Sequence, residues 1–427
     1  MTASEASRAG VFAPLPVGAR DLLPDACRRR EHLVGSLMAT FDTWGYEPVQ
    51  TPTIEYFDVL GRGLAASERD RCVRFIESGT GLLVSMRPDV TPQIARMVAQ
   101  RGAHRVDEGK TLRLRYAADV VRMPRAHHER TEMHQLGVEL VGDGHPTADA
   151  ELLLMCHEAL EAVGLTKSQF DLTHAGVGRA MFAGLSGDLE SQLRRRIEAK
   201  DEAGVAAIVA GKDLDPALAR GLRSMCSLYG SPEIMARAYD VLPVAAHASL
   251  DALSQTLESV YVQNPQCHAR ISIDLGELRG YDYYTGLRLR VWAPGVPGPV
   301  VRGGRYDTLM ARYGHDCPAS GFAIDLDGLD VACGQQREVA RSSGGTMIAV
   351  SHIPRRAAAQ CEAQQRRRGG GRAWVQAANS LVHALELADA TGAEHVVYFG
   401  DKQDVPTSNH TQHYTRGDNG WQLESNP

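Results

Sequence analysis

Apolar residues recur at helical spacing in the first long segment, residues 25–44. The apolar positions that share one face of a helix are Leu33, Leu37, Phe41 and Trp44. Asp25 can cap the start of this segment, and Gly45 supplies a stop signal after it. The pattern therefore predicts an amphipathic helix.

Beyond Gly45 the period of the pattern changes to that of strands. Alternating apolar and polar residues, which are typical of strands, occupy residues 74–78, 81–89, 111–122, 133–142, 170–177, 269–293 and 298–307. A helical pattern over 146–164 interrupts them. Strands that follow one another through short connections favour antiparallel pairing. We predict an α+β fold with a mostly antiparallel sheet flanked by helices.

A change in amino-acid composition along the chain divides it further. Residues 177–262 are rich in Ala, Leu, Arg and Glu and contain few β-branched clusters, which predicts a helical insertion. We therefore expect a core in two parts, 14–176 and 263–335, and a small C-terminal α/β segment, 342–427. Within that segment, "RRRGGGR" at 366–372 favours a flexible basic loop, and the polar sequence after Asp404 favours a frayed tail.

Composition limits the classes of function. The 427 residues are 43% hydrophobic and 23% charged, which is typical of a globular protein with a sizeable core. The start of the chain lacks the basic and apolar regions of a secretory signal, and no window approaches ~18 uninterrupted apolar residues, so we expect a cytoplasmic protein without a membrane span. Eight scattered cysteines without a C-x-x-C pair predict reduced thiols and no metal site. A formal charge of −6 gives no reason to expect nucleic acid as a partner.

Polar residues occupy one face of the strand predicted at 133–142. Period-two alternation places Gln135, Gly137 and Glu139 on one face, opposite an apolar face. The polar face can line a cavity that holds a small ligand with hydrogen-bonding ends. A strand face in contact with water would show the same alternation, so both interpretations stay open.

A second group of polar residues precedes a proline in "RPDVTPQIAR". Thr91 followed by Pro92 is typical of a helix start, with Thr as the cap and Pro at the first helical position. The alternative is functional: the carboxylate of Asp89 and the hydroxyl of Thr91 would face the ammonium group of a ligand.

The stretch "RGYDYYTG" at 279–286 carries charge and hydroxyls where a core strand would carry valine or isoleucine. Arg279 offers a two-pronged donor for a carboxylate, and Tyr283 and Tyr284 offer flat walls with hydroxyl tips. This combination suits an amino acid. In a regular strand Arg279 and Tyr284 would lie on opposite faces, so their joint use needs a bulge near Gly280.

Several motifs together resemble the class II catalytic domain of histidyl-tRNA synthetases. They are "VVR", "HQLGVELVG", "RGYDYYTG", "VRGGRYDTLMARYG" and "GFAIDL". The resemblance preserves their order and covers residues 14–332. It implies a class II synthetase-like sheet around a histidine site, with no cofactor.

The resemblance also assigns roles to residues of that site. It implies that Asp89, Thr91 and Gln135 hold the ammonium of histidine, that Glu139 and Tyr284 hold the imidazole beside Tyr283, and that Arg279 holds the carboxylate.

On the ATP side the chain departs from the synthetases. Their third class II motif ends in an arginine that grips the triphosphate, whereas this chain reads "GFAIDLDGL", with Asp325, Asp327 and Gly328. Losing such a charge partner typically costs ~3 to 4 kcal/mol, and nearby carboxylates would repel a nucleotide. Arg122 persists as a residual phosphate contact, but Met133 stands where an aromatic residue would lie against adenine. We therefore expect no adenylation and no catalytic residue.

The chain is more similar to a non-catalytic paralogue of the synthetases, the regulatory subunits of ATP phosphoribosyltransferase. "RPDVTPQIARM", "LTHAGVGRAMF" and "LRRRIEAKDEAGVAAIV" carry this similarity. It implies a homodimer through the class II core, assembled with a short-form catalytic subunit into a hetero-oligomer. It also implies activation and feedback inhibition by L-histidine of the first step of histidine biosynthesis. An active histidyl-tRNA synthetase is the alternative.

Overall fold

The structure is a computed structural model, and it describes residues 15–126, 129–280, 283–334, 344–351, 353–400, 411–417 and 420–424. The chain divides into two compact units, residues 1–336 and 337–427. The predicted boundaries at 177 and 262 inside the first unit stay a prediction. None of the helices in the described ranges is long and apolar enough to cross a membrane.

The first unit contains both long and short α-helices. The described ones are α1 Pro24–Thr43, α2 Phe57–Leu60, α3 Ala66–Arg69, α4 Thr91–Met97, α5 Ala103–Asp107, α6 Pro146–Ala162, α7 Ala175–Phe182, α8 Gly187–Glu198, α9 Glu202–Ala210, α10 Pro216–Ser224, α11 Ile234–Val241, α12 His247–Gln263, α13 Pro265–His268 and α14 Leu326–Gly334. A π-helical turn, Val98–Gly102, joins α4 to α5.

The strands of the first unit form a large and a small sheet. They are β1 Glu47–Pro48, β2 Ile54–Tyr56, β3 Arg74–Ile76, β4 Leu83–Met86, β5 Leu112–Val121, β6 Glu132–Val141, β7 Gln169–His174, β8 Tyr229–Gly230, β9 Ile271–Asp274, β10 Leu287–Trp292, β11 Val301–Arg305 and β12 Ala319–Asp325. The large sheet has the order β1-β5-β6-β12-β11-β10-β7-β9-β8, and the small one β2-β4-β3. Among the described strands of this unit, only β1–β5 and β7–β9 pair in parallel, so the prediction of a mostly antiparallel sheet is confirmed.

Helix α1 forms as its apolar pattern predicts, because Leu33, Leu37 and Phe41 are all buried on one face. The predicted cap is wrong. Asp25 lies in the first turn, and the helix begins at Pro24, whose fixed φ suits the first helical position.

The helices α7 to α13 lie in the chain between β7 and β9. Leu193 and Ile197 of α8 belong to the same buried apolar cluster as Leu275, next to β9, and Leu289 of β10. Because insertion and sheet share one core, the loops between them are held by packing on both sides.

The predicted strand at 269–293 is wrong in its middle. Strand β9 ends at Asp274, β10 begins only at Leu287, and a turn lies between them. The N–H groups of Tyr283 and Tyr284 both donate to the Gly280 carbonyl, at 3.1 and 3.3 Å. Gly280 has φ +77°, a left-handed conformation that glycine adopts without a steric penalty. No bulge is needed, because the tyrosines stand on a turn.

The described residues of the second unit form a five-stranded sheet with two α-helices. Its elements are β13 Thr346–Val350, α15 Arg356–Arg368, β14 Ala373–Ala377, α16 Leu381–Thr391, β15 His395–Phe399, β16 Thr411–Gly417 and β17 Gly420–Leu423. The strand order is β14-β13-β15-β16-β17. This sheet is the predicted small C-terminal α/β segment.

Two expectations about this unit are wrong. The polar sequence after Asp404 is not frayed throughout, since β16 pairs with β15 and buries Tyr414 in the core of the unit. The basic run at 366–372 is not one loop: Arg366, Arg367 and Arg368 form the last turn of α15, where Arg366 pairs with Glu362 at 2.7 Å. Positive side chains are favourable at a helix C-terminus.

Candidate ligand-binding site

A cavity of about 280 Å³ opens on one face of the large sheet. Strands β5, β6, β11 and β12 form its floor, and helix α4 and the turn at 280–284 form walls. The predicted site residues that line it are Asp89, Thr91, Arg122, Gln135, Tyr283 and Tyr284. Residues that are about 200 positions apart in the sequence thus meet at one site.

Asp89 is the centre of the polar wall. Its carboxylate accepts hydrogen bonds from the Thr91 N–H at 3.0 Å, from Arg122 Nη2 at 3.0 Å and from Gln135 Nε2 at 3.4 Å. Arg122 Nε also donates to the Pro88 carbonyl at 2.6 Å. Asp89 is thereby held as a fixed negative charge at the cavity wall, and Arg122 is tied to it.

Thr91 does not cap helix α4. The helix begins at Thr91 itself, and its N–H is bound by the Asp89 carboxylate. The Thr91 hydroxyl instead donates to Glu139 Oε1 at 2.7 Å. The cap interpretation is therefore wrong, and the hydroxyl connects helix α4 to strand β6.

Glu139 lies beneath the cavity floor, and only 1% of it is exposed. Burial raises the pKa of its carboxyl well above the ordinary value; the hydrogen bond from Thr91 opposes the shift, and the charge of Asp89 adds to it. Gln135 is buried as well, so the interpretation of this strand face as solvated is wrong.

Three buried polar atoms at this site have no hydrogen-bond partner in the described part of the chain: Gln135 Oε1, Glu139 Oε2 and the Tyr306 hydroxyl. A Cβ at Gly321 would lie 2.3 Å from Glu139 Oε2 and 2.6 Å from the Tyr306 hydroxyl. Gly321 lines the cavity, so no side chain at this position separates the cavity from these two buried atoms. Buried polar groups are normally satisfied, so these atoms suit a polar ligand.

Tyr306 was missed in the sequence because it follows the glycine pair of "GGRYD" and resembles an ordinary strand residue. Its ring lies 5.6 Å from that of Tyr283, which in turn packs edge-on against Tyr284 at 5.0 Å. Burial raises the pKa of Tyr284 to about 12, so its hydroxyl stays protonated and can donate. Tyr281 and Asp282 lie outside the described residues.

The structure does not bring Arg279 into the cavity. Its side chain is 66% exposed, and its Nε donates to Glu277 Oε1 at 2.9 Å. The turn directs Arg279 to Glu277, which Arg288 and Arg290 also contact. The correction follows from this geometry, because the prediction of Arg279 as a carboxylate partner assumed a strand.

Arg302 of β11 is a lining cation that the sequence interpretation missed. Its side chain has no hydrogen bond or ion pair with any described residue, and it is exposed at the cavity mouth. The signal in the sequence was its position beside the glycine pair of "VRGGR". An unpaired guanidinium at this position can receive an anionic group.

Only one of the two carboxylates expected on the ATP side faces the cavity. Asp325 lines it and accepts the N–H groups of Asp327 and Gly328, at 3.0 and 3.2 Å, at the start of α14. Asp327 is buried and binds arginines instead: Arg20, Arg30 at 2.6 Å and Arg130 at 3.1 Å. The charge of Asp327 is thus compensated, and of these two carboxylates Asp325 is the one that faces the cavity.

Comparison with known proteins places this chain in a family. Residues 18–329 match the histidyl-tRNA synthetase family. A chain from Geobacter sulfurreducens named "ATP phosphoribosyltransferase regulatory subunit" is 33% identical over 93% of this chain and 90% of its own length. One of the same name from Pseudomonas syringae pv. syringae is 37% identical over 78% of this chain and 84% of its own.

A solved structure supports the fold. The crystal structure of an "ATP phosphoribosyltransferase regulatory subunit/histidyl-tRNA synthetase" from Bacillus halodurans superimposes with a TM-score of 0.77 at 23% identity, over 91% of this chain and 98% of that one. The class II synthetase-like fold is therefore confirmed. The chain belongs to the histidyl-tRNA synthetase family and, within it, to the regulatory subunits of ATP phosphoribosyltransferase.

Proposed function

We propose that this chain is a non-catalytic regulatory subunit that binds L-histidine and mediates activation and feedback inhibition of a short-form ATP phosphoribosyltransferase catalytic subunit. One observation supports histidine binding. The cavity has the fixed charge of Asp89 at its wall, and the unpartnered atoms of Glu139 and Tyr306 lie at its floor. An amino acid with a polar ring can use all of these groups.

In this proposal the histidine ammonium binds Asp89 and the side-chain amide oxygen of Gln135, Oε1. No described residue donates a hydrogen bond to this Oε1. The imidazole reaches Glu139 past Gly321, with the Tyr306 and Tyr284 hydroxyls beside it. Thr91 acts as a positioning residue, because its hydroxyl orients the Glu139 carboxyl. A buried acid that shares one proton with the imidazole would select this ring over an apolar one.

The second candidate function is histidine adenylation, as in the synthetases. Asp325 and the apolar Met133 line the part of the cavity where ATP would lie, and Asp327 binds three arginines that could otherwise meet phosphate. A missing charge partner typically costs ~3 to 4 kcal/mol of transition-state stabilisation. Histidine-dependent ATP–pyrophosphate exchange by the purified chain would favour the synthetase.

The test of the regulatory function is reconstitution. The chain is mixed with a short-form catalytic subunit, and the rate of ATP phosphoribosylation is measured across a histidine titration. We expect the chain to raise the rate and histidine to lower it. If adding the chain left the rate of the catalytic subunit unchanged, the regulatory role would be contradicted. A histidine response of the catalytic subunit alone would contradict the role of this cavity.

Arg302→Ala is expected to weaken histidine binding about tenfold, because one charge-assisted hydrogen bond to the ligand carboxylate is worth about 1.5 kcal/mol at a partly exposed site. Arg279→Ala is the matched control and should change the affinity less than about threefold, since Arg279 pairs with Glu277. Calorimetric titration with L-histidine measures both. A larger loss in Arg279→Ala than in Arg302→Ala would reverse the assignment.

The proposal includes a homodimer through the class II core, within a larger hetero-oligomer with the catalytic subunit. The small sheet supports it, because Ile76 and its cross-strand neighbour Leu83 leave an exposed apolar face, while Ile54 and Phe75 are exposed on the opposite side. Such a face is typical of an interaction surface. Light scattering should give twice the mass of the chain, and Ile76→Glu should shift it toward the monomer. A monomeric wild type at micromolar concentration would contradict the dimer.

A further inference from the structure

A second cleft, of about 500 Å³, lies at one end of strands β7, β9 and β10. It is lined by the segment 166–169 that leads into β7, by Arg270 before β9, and by Trp292 and the two residues after it at the end of β10. None of these residues lines the first cavity. The two sites are therefore independent.

Two residues that line this cleft, Ser168 and Arg270, each carry a buried polar atom without a partner in the described part of the chain. Ser168 is 5% exposed, and neither its Oγ nor Arg270 Nη1 has a hydrogen-bond partner in the described part of the chain. Arg270 Nη2 donates to Glu161 at 3.0 Å, which fixes the guanidinium. A hydroxyl and a fixed guanidinium nitrogen that both lack acceptors suit the oxygens of an anion.

The remaining lining residues add charge and a flat surface. Lys167 and Thr166 are exposed at the cleft and can contact the same anion. Trp292 is half-buried, and the Arg290 guanidinium lies 5.5 Å from its ring centre. Indole rings are good surfaces for stacking a planar group, whereas a bare phosphate would leave most of this cleft empty.

We infer that this cleft is a binding site for a nucleoside phosphate: Arg270, Ser168 and Lys167 hold the phosphate, and the base lies against Trp292. The combination of guanidinium, hydroxyl and ammonium donors with an aromatic ring in one cleft carries the inference. The site is separate from the histidine cavity, so the inference does not depend on the proposed function.

The test is a titration of the full chain with AMP, in which binding is measured by calorimetry and by tryptophan fluorescence. We expect AMP to bind more tightly than inorganic phosphate or adenosine, because inorganic phosphate lacks the base and adenosine lacks the phosphate. Lys167→Ala and Ser168→Ala should each weaken AMP binding about tenfold, as expected for one hydrogen bond to a charged group. Trp292→Phe keeps a ring but should abolish the fluorescence change.

Lys212→Ala is the matched control, since Lys212 is also exposed but belongs to the insertion and does not line the cleft. It should leave AMP binding unchanged, and histidine affinity should be unchanged in all these variants. Equal affinity for AMP and inorganic phosphate would overturn the nucleotide assignment. AMP binding that is lost in Arg302→Ala and kept in both Lys167→Ala and Ser168→Ala would place the nucleotide in the first cavity. That result, or no AMP binding at millimolar concentration, would overturn the inference.

Discussion

Glu139→Gln is expected to weaken L-histidine binding by about 2 to 3 kcal/mol, which is roughly 30- to 150-fold. The variant keeps the shape of the side chain. It removes the ionisable group that, in our proposal, shares a proton with the imidazole at a buried position, where such hydrogen bonds are strongest. In the reconstituted complex, the histidine inhibition curve should move to higher concentration by a similar factor, while the basal activation by the chain should persist.

The control for this variant is Glu132→Gln, which makes the same chemical change on the same strand at an exposed position. Its histidine affinity should equal that of the wild type. If Glu139→Gln bound histidine as tightly as Glu132→Gln, the ligand would not reach the cavity floor, and the proposed orientation of histidine would be wrong.

The same variant should change the pH dependence of stability in the absence of ligand. Burial raises the pKa of Glu139 in the folded chain above its unfolded value, so the folded state binds this proton more tightly. Glu139 therefore contributes stability below its unfolded pKa, and this contribution is lost as pH rises toward the folded pKa. Denaturant unfolding from pH 4.5 upward should show this loss in the wild type and a flatter profile in Glu139→Gln.

Asp327→Ala is expected to lower the free energy of unfolding by about 3 kcal/mol. Removing one partner of a buried ion pair typically costs about 3 to 5 kcal/mol because the other charges stay unpaired. The lower end applies here, because Asp327 is 2% exposed but Arg20 and Arg130 are 42% and 30% exposed and can turn toward water. Repulsion among the three arginines would remain in the variant.

Asp330→Ala is the matched control on the same helix, since the ion pair of the half-buried Asp330 within the described residues is with Arg29, at 3.2 Å. Partly exposed pairs of this kind contribute up to about 1 kcal/mol. Circular dichroism during urea unfolding compares the two variants. Equal stabilities would mean that the arginines find other partners when Asp327 is removed.

Local periodicity was sufficient to predict the elements that build the frame of the site. Helix α1 and strand β5 follow their apolar patterns because burial of one face sets the period of the sequence. Strand β6 also forms where its alternation predicts it, although it is buried on both faces from Gln135 to Val141. The order of several motifs was also sufficient to predict the class II synthetase-like fold, now supported by relatives and by a solved structure. The roles of the site residues, by contrast, stay proposals.

Tertiary structure alone decided which charges face the ligand. Asp325 and Asp327 are two residues apart and look equivalent in the sequence, yet Asp327 is neutralised by arginines up to 307 positions away. The stretch at 279–286 resembles a strand, but the left-handed Gly280 turns it, so Arg279 pairs with Glu277 outside the cavity, and Arg302 lines the cavity instead. Ion pairs and turns depend on partners brought together by folding, and a pattern along the chain records only how each residue is buried relative to its neighbours.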